Sequence, residues 1–285
     1  MKKNIIINNS KTFHYEIIES VICSLKQILK LNNFNLDDYN IFFNMKINDL
    51  SFKNYLKNIF PFIKINFNLN KIKKNYFIEI SNYDKDYDKM IHNSNSFFYI
   101  CHNISDRLLK LNNTIFLTPL CNKKYLQCIR LPYVKHKKIK TIVPIFLIQG
   151  TIKENRRDYK LLLLLLNKQF DYDYRIKILG RGNLPEYLKK YKNKIIFKNN
   201  LNFIDYHKEL LDIHCLLTLT SKEKTPGYYK TKLTSSINYI KGYNLNCIID
   251  NKLQNIYNLK NCKTYKSNNE FINKFKRSIN EFYNK

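Results

Sequence analysis

The chain has 285 residues, 44% of them hydrophobic and 25% charged, enough to bury a core in one large domain or two ordinary ones and too apolar for a disordered tail. Fifty lysines and arginines against 22 acidic residues give a formal net charge of +28, which ordinarily points to a polyanionic partner. Yet alanine and tryptophan are absent, while residues with A/T-rich codons (Lys, Asn, Ile, Tyr, Phe) abound, so much of the charge reflects an A/T-rich genome rather than a nucleic-acid interface.

From the start, short β-rich runs alternate with amphipathic stretches. Residues 4–8 ("NIIIN") predict a strand, and "HYEIIESVICSLKQILKL" a helix with Ile17, Val21, Leu25, Ile28 and Leu29 on one face. There follow a strand at 39–45, a helix in "LSFKNYLKNIF", strands at 62–67 and 76–81, a polar helix or turn, and strands at 97–103 and 114–120. The basic segment 131–140 ("LPYVKHKKIK") breaks the pattern and marks a boundary, which gives domains of 1–133 and 134–285.

The second half repeats strand and helix more cleanly. Strand "TIVPIFLIQG" leads to helix "RRDYKLLLLLLNKQ", strand "YRIKILGRG" to helix "PEYLKKY", strand "KIIFKNN" to helix "FIDYHKELLDI", and strand "CLLTLTS" to a loop and helix "KLTSSINYIKGY". Strand "NCIID" and an amphipathic helix "NEFINKFKRSINEFYNK" complete it, the last helix being placed so that it can pack back on the first domain. Strands separated by such helices require crossover connections, hence parallel sheets covered on both faces. The expected fold is α/β, with two Rossmann-like domains whose parallel sheets face a cleft.

All five glycines lie in the second half, and Gly150, Gly180 and Gly182 sit at carboxyl ends of predicted strands. Ligands of doubly wound sheets bind at those ends, where glycine permits close approach and the next helix offers N–H groups to an anion. Arg156, Arg157 and Arg181 stand beside these loops, with the bidentate charge that phosphate oxygens match. Neither a GxxxxGK[ST] loop nor a GxGxxG fingerprint is present, which argues against a kinase and a nicotinamide dehydrogenase.

The order "IQGTIKENRRDYKLLLLLL … YRIKILGRGNLPEYL … KIIFKNNLNFIDYHKELLDIHCLLTLTS … YYKTKLTSSINYIKGYNLNCIIDN" resembles the donor-binding domain of GT-B fold glycosyltransferases over residues 140–255. By that resemblance Arg156 or Arg157 and Lys232 neutralise the diphosphate of a nucleotide-sugar, UDP- or GDP-linked. Thr234, Ser235 and Ser236 offer it hydroxyls and helix N–H groups. Glu223 takes the place of the first glutamate in the Glu-x7-Glu motif of retaining members, but Thr231 stands where the second belongs.

In the first half, His14 opens a helix after a strand and His102 ends one; His14 or Glu16 would orient or deprotonate an acceptor hydroxyl. The pair Asp171/Asp173 joins a helix to the next strand at the amino edge of the sheet and is rejected as a metal site, and Asp84, Asp86 and Asp88, flanked by lysines, read as a solvated loop. The expected activity is metal-independent glycosyl transfer from a nucleotide-sugar to a protein, glycan or lipid-linked acceptor, with peripheral contact to an anionic membrane. The rivals are a GT-B-like binding protein without catalysis, a basic nucleic-acid-binding protein and a nucleotide-sugar epimerase. Cys23, Cys101, Cys121, Cys128, Cys215, Cys247 and Cys262 never form a CxxC pair and read as free thiols of a reducing compartment. The apolar stretches are too short for a signal peptide or for the roughly 20 residues of a spanning helix. A soluble cytoplasmic protein is expected.

Overall fold

The computed structural model describes residues 2–9, 15–31, 33, 35–45, 50–65, 76–82, 97–101, 104–121, 125 and 138–284. The chain divides into two compact units, Met1–Arg130 with Thr231–Leu233, and Leu131–Lys230 with Thr234–Lys285.

The first unit contains β1 (Lys3–Asn9), α1 (Tyr15–Leu31), β2 (Tyr39–Met45), α2 (Leu50–Ile59), β3 (Ile63–Ile65), β4 (Tyr76–Asn82), β5 (Phe97–Cys101), α3 (Asp106–Leu109) and β6 (Thr114–Phe116). Among the described residues its six strands run in parallel in the order β3-β2-β1-β4-β5-β6. β1 is central, and Ile5, Ile6 and Ile7 are buried on both of its faces, as β-branched residues are in a covered parallel strand. α1 adds Ile17, Ile18, Val21 and Ile22, and α2 adds Phe52, Tyr55 and Leu56.

The second unit contains β7 (Ile145–Ile152), α4 (Tyr159–Leu166), β8 (Arg175–Gly182), a 3-10 helix (Glu186–Tyr191), β9 (Ile195–Asn199), α5 (Phe203–Lys208), β10 (Cys215–Leu217), α6 (Gly227–Lys230), α7 (Ser235–Tyr243), β11 (Asn246–Asp250), α8 (Asn251–Tyr257), β12 (Cys262–Tyr265) and α9 (Asn268–Tyr283). Its sheet is ordered β12-β11-β10-β7-β8-β9, again wholly parallel. Both sheets therefore start in the middle, wind three strands to one side and return to wind three to the other, the doubly wound order with its switch point beside the first strand.

The helical period explains the leucine run of α4. Leu161, Leu162, Leu165 and Leu166 are buried on the sheet, whereas Leu164 is 45% exposed. Among the described residues no helix is long and apolar enough to cross a membrane. α9 sends Phe271, Phe275 and Ile279 into the core of the second unit beside Phe146, Tyr174 and Ile176. Its apolar stripe fits that face, and its other face is polar.

Two features were not expected. Lys177 is 2% exposed on β8, neutralised by Asp212 at 2.7 Å and Glu209 at 2.8 Å. Cys247 and Cys262 are register partners on β11 and β12, with Cα atoms 4.8 Å apart, and form a disulfide. This corrects the expectation of free thiols for that pair, because register between neighbouring strands is not written in cysteine spacing.

Candidate functional site

β7 and β10 are neighbours in the second sheet, and the chain leaves β7 towards β8 on one side and β10 towards β11 on the other. The carboxyl end of β7 and the segment that follows β10 thus flank the switch point, where loops diverge and a ligand finds room. Gln149 and Gly150 stand at that end of β7, and α7 begins next to them.

Arg157 organises the region. It is 2% exposed, and its Nη2 donates to the Gln149 carbonyl at 2.7 Å and to Ser236 Oγ at 3.3 Å, while Nη1 donates to the Arg156 carbonyl at 2.7 Å. Its Nε is buried with no partner among the described residues. Gly150 leaves room for this guanidinium: it has φ +110°, and a Cβ there would lie 2.8 Å from Arg157 Nη2 and 3.5 Å from Ser235 Oγ. The Gln149 amide donates to Ser235 Oγ and Ser236 Oγ, both at 3.1 Å, and Tyr206 donates its hydroxyl to Gln149 Oε1 at 3.3 Å.

Arg156 differs from its neighbour. It is partly exposed, and Nη1 meets the Tyr228 hydroxyl at 3.5 Å. Burial alone would raise the Tyr228 pKa, but the positive charges of Arg157 and Arg156 outweigh it and leave the hydroxyl more acidic than an ordinary tyrosine. Both arginines were expected at the start of a helix. They lie instead in the turn before α4, whose N-cap is Asp158, with Oδ1 accepting from Leu161 N at 3.1 Å and pairing with Lys224.

α7 begins without a side-chain cap. Thr234 holds the N-cap position and is fully buried, and among the described residues its hydroxyl has neither a bond to the helix nor any other protein partner. The Ile237 N–H bonds the Thr234 carbonyl at 3.1 Å, so the N–H groups that go without a side-chain cap at the positive end of the helix dipole are those of Ser235 and Ser236.

Of the residues expected in the site, the fold joins Gly150, Arg157, Ser235 and Ser236 directly, with Arg156 and Thr234 adjacent in the chain. Gly180 and Gly182 serve the sheet itself. In register with Gly150 and Ile152, they would place a Cβ 1.7 Å from the Gly150 carbonyl oxygen and 2.6 Å from that of Ile152. Arg181, between them, is exposed. Glu223 lies exposed on the wall of a cavity of about 390 Å³, with Asp158, Thr220, Asp250 and Tyr265; Gly150, Arg156 and Ser235 are not on its lining. Lys232 falls in the stretch Thr231–Leu233 that belongs to the first unit, where Thr231 O accepts from Ile104 N at 3.0 Å.

His14, His102, the Glu16 side chain and Asp84, Asp86 and Asp88 lie outside the described residues. Asp171 and Asp173 precede β8 at its amino end, Asp171 pairing with Lys276 at 3.3 Å. Gln149, Tyr206 and Tyr228 were missed. A glutamine at the end of an apolar run reads as part of the strand, and two tyrosines among 22 carry no signal of their own.

No family model and no curated protein matches the sequence. Solved structures do. A glycosyltransferase from Rickettsia africae superposes with TM-score 0.60 at 11% identity, covering 99% of this chain and 89% of its own. Sucrose-phosphate synthase from Thermosynechococcus elongatus gives TM-score 0.55 at 8% identity over 97% of this chain and 89% of its own. AviGT4, a glycosyltransferase involved in avilamycin A biosynthesis, gives 0.54 at 8% over 98% and 92%. Together with two parallel six-stranded sheets of one winding, these likenesses establish that the chain has the GT-B fold.

Proposed function

We propose that the chain transfers a glycosyl group from a nucleotide-diphosphate sugar, UDP- or GDP-linked, to a protein, glycan or lipid-linked acceptor. The observation that carries this reading is the uncapped start of α7 beside Gly150, with a buried arginine fixing the loop and a second, partly exposed arginine available to a ligand. Backbone N–H groups, serine hydroxyls and a guanidinium form a surface suited to a diphosphate. On this reading Arg156, Ser235 and the α7 dipole stabilise the leaving nucleoside diphosphate as its bond to the sugar breaks, without a divalent cation in the step. Residues 134–285 form the donor domain, and residues 1–133 receive the acceptor. His14, Glu16 or His102 would deprotonate the acceptor hydroxyl, Lys232 would add positive charge, and the reaction would run in the cytoplasm or against an anionic membrane face.

The test is a thermal-shift and calorimetric screen against UDP-, GDP-, CMP- and dTDP-sugars, with and without Mn²⁺, repeated with Arg156→Ala. Stabilisation by one nucleotide-sugar, lost in the variant and indifferent to metal, is expected. No response to any of them, with tight salt-sensitive binding to DNA or RNA, would overturn the proposal. A second reading, a nucleotide-sugar-binding protein without transfer, is favoured by Thr231 in place of the second motif glutamate and by Glu223 lying on a separate cavity wall. It predicts the same binding with no release of nucleoside diphosphate in the presence of acceptor sugars.

A further inference from the structure

The hydrogen bonds around Gln149 have a direction. A guanidinium only donates. Arg157 supplies one bond to the Gln149 carbonyl and one to Ser236 Oγ. Tyr206 donates to Gln149 Oε1, which turns the amide NH₂ towards α7, where it donates to both serine oxygens at 3.1 Å. Ser235 and Ser236 thus accept from the interior, and their protons are left to donate. Ser236 is 1% exposed, whereas Ser235 is partly exposed. The start of α7 therefore presents donors: the Ser235 O–H, the Ser235 and Ser236 N–H groups that the Thr234 side chain does not cap, and the guanidinium of Arg156. Thr234 keeps a fully buried hydroxyl without a partner among the described residues at the same place. A ligand group that must itself donate is poorly served by such a surface, but an acceptor-only anion is matched.

We infer that Gln149 is a positioning residue that sets the polarity of this site: its amide holds Ser235 as an outward donor and so selects a fully ionised phosphate-type group. The inference rests on the anion site proposed above and adds the residue that tunes it. Gln149→Glu reverses the arrangement, because a carboxylate accepts only, and Ser235 then turns its proton inward to meet it.

The experiment is a calorimetric titration with inorganic pyrophosphate of four proteins: wild type, Ser235→Ala, Gln149→Glu and the double variant, with the Tm of each recorded. Ser235→Ala is expected to weaken binding roughly 10-fold in the wild-type background and by less than about 2-fold in the Gln149→Glu background. Equal losses in both backgrounds would overturn the inference, since a residue that merely packs the strand end would leave the serine contribution intact. If Gln149→Glu fails to fold, Gln149→Met takes its place in the same cycle, and the Ser235→Ala loss is again expected to shrink. Coupled loss of pyrophosphate binding in a protein that takes no nucleotide-sugar would uphold the role of Gln149 and overturn the donor reading. Nucleotide-sugar binding with equal, uncoupled losses would do the reverse, and a wild type that binds neither would overturn both.

Discussion

The two sheets share one strand order, yet the ends of their central strands are furnished with opposite chemistry. At the end of β1, buried Asn8 accepts from Asn44 at 2.6 Å and donates to the Glu79 carboxylate, itself fully buried on β4. At the end of β7, Gln149 and Gly150 enclose the buried Arg157. One end is built round an acceptor and the other round a cation. Winding follows from apolar runs separated by helices and from the handedness of crossovers, which both halves share. Binding chemistry follows from one or two polar residues at the strand ends, which they do not share.

The sharpest way to break the second sheet is at Gly180. Alanine there must displace the backbone of β7, since its Cβ would stand 1.7 Å from the Gly150 carbonyl oxygen, and a loss of about 3 kcal/mol in chemical denaturation is expected. Arg157→Met is next. It strands the Gln149 and Arg156 carbonyls and removes a donor from Ser236, for an expected loss of about 2–3 kcal/mol, with ligand binding lost as well. The matching change in the first unit, Asn8→Leu, takes one donor from the buried Glu79 carboxylate. A loss of about 2 kcal/mol is expected, and the nucleotide-sugar response of the folded protein should be unchanged.

Much of this architecture was legible in the sequence because it depends on apolar runs alternating with amphipathic stretches. The run 161–166 declares its helix, and "NIIIN" its buried strand. Of the glycines read as strand ends, Gly182 closes β8, whereas Gly150 and Gly180 lie two residues inside β7 and β8, and Gly180 and Gly182 owe their identity to the close approach of the two strands. What escaped depends on register and direction. Whether Arg156 or Arg157 faces outward is decided by a turn whose geometry the sequence does not encode locally, since Asp158 rather than an arginine begins the helix. The pairing of Cys247 with Cys262 and of Lys177 with Asp212 likewise appears only once strands and helices are placed side by side.

The arginine pair gives a gentler test of the same contrast. Arg156→Ala removes a partly exposed side chain and should change stability by no more than about 0.5 kcal/mol. It should still weaken nucleotide-sugar binding by roughly 10-fold, the loss of a charge-assisted hydrogen bond. Large destabilisation together with intact binding would mean that the two arginines have exchanged the roles assigned to them.

The smallest effect separates two tyrosines around the same loop by the sign of their pH dependence. Burial pushes the Tyr159 hydroxyl up to about 12, partly opposed by Arg157, so the folded state keeps a proton that the unfolded chain releases near 10. Its contribution to stability is present below pH 10 and declines as the pH climbs towards 12. Tyr228 has the opposite sign: burial raises its pKa, but Arg157 and Arg156 lower it more, so its contribution is present above pH 10 and is lost as the pH falls through the lowered folded value. Tyr159→Phe should therefore flatten the alkaline fall in stability, recovering about 1 kcal/mol at pH 11 relative to its own value at pH 8. Tyr228→Phe should steepen it. Denaturation midpoints at pH 8 and pH 11 for both variants decide the point, and two variants moving in the same direction would show that the arginine charges do not reach Tyr228.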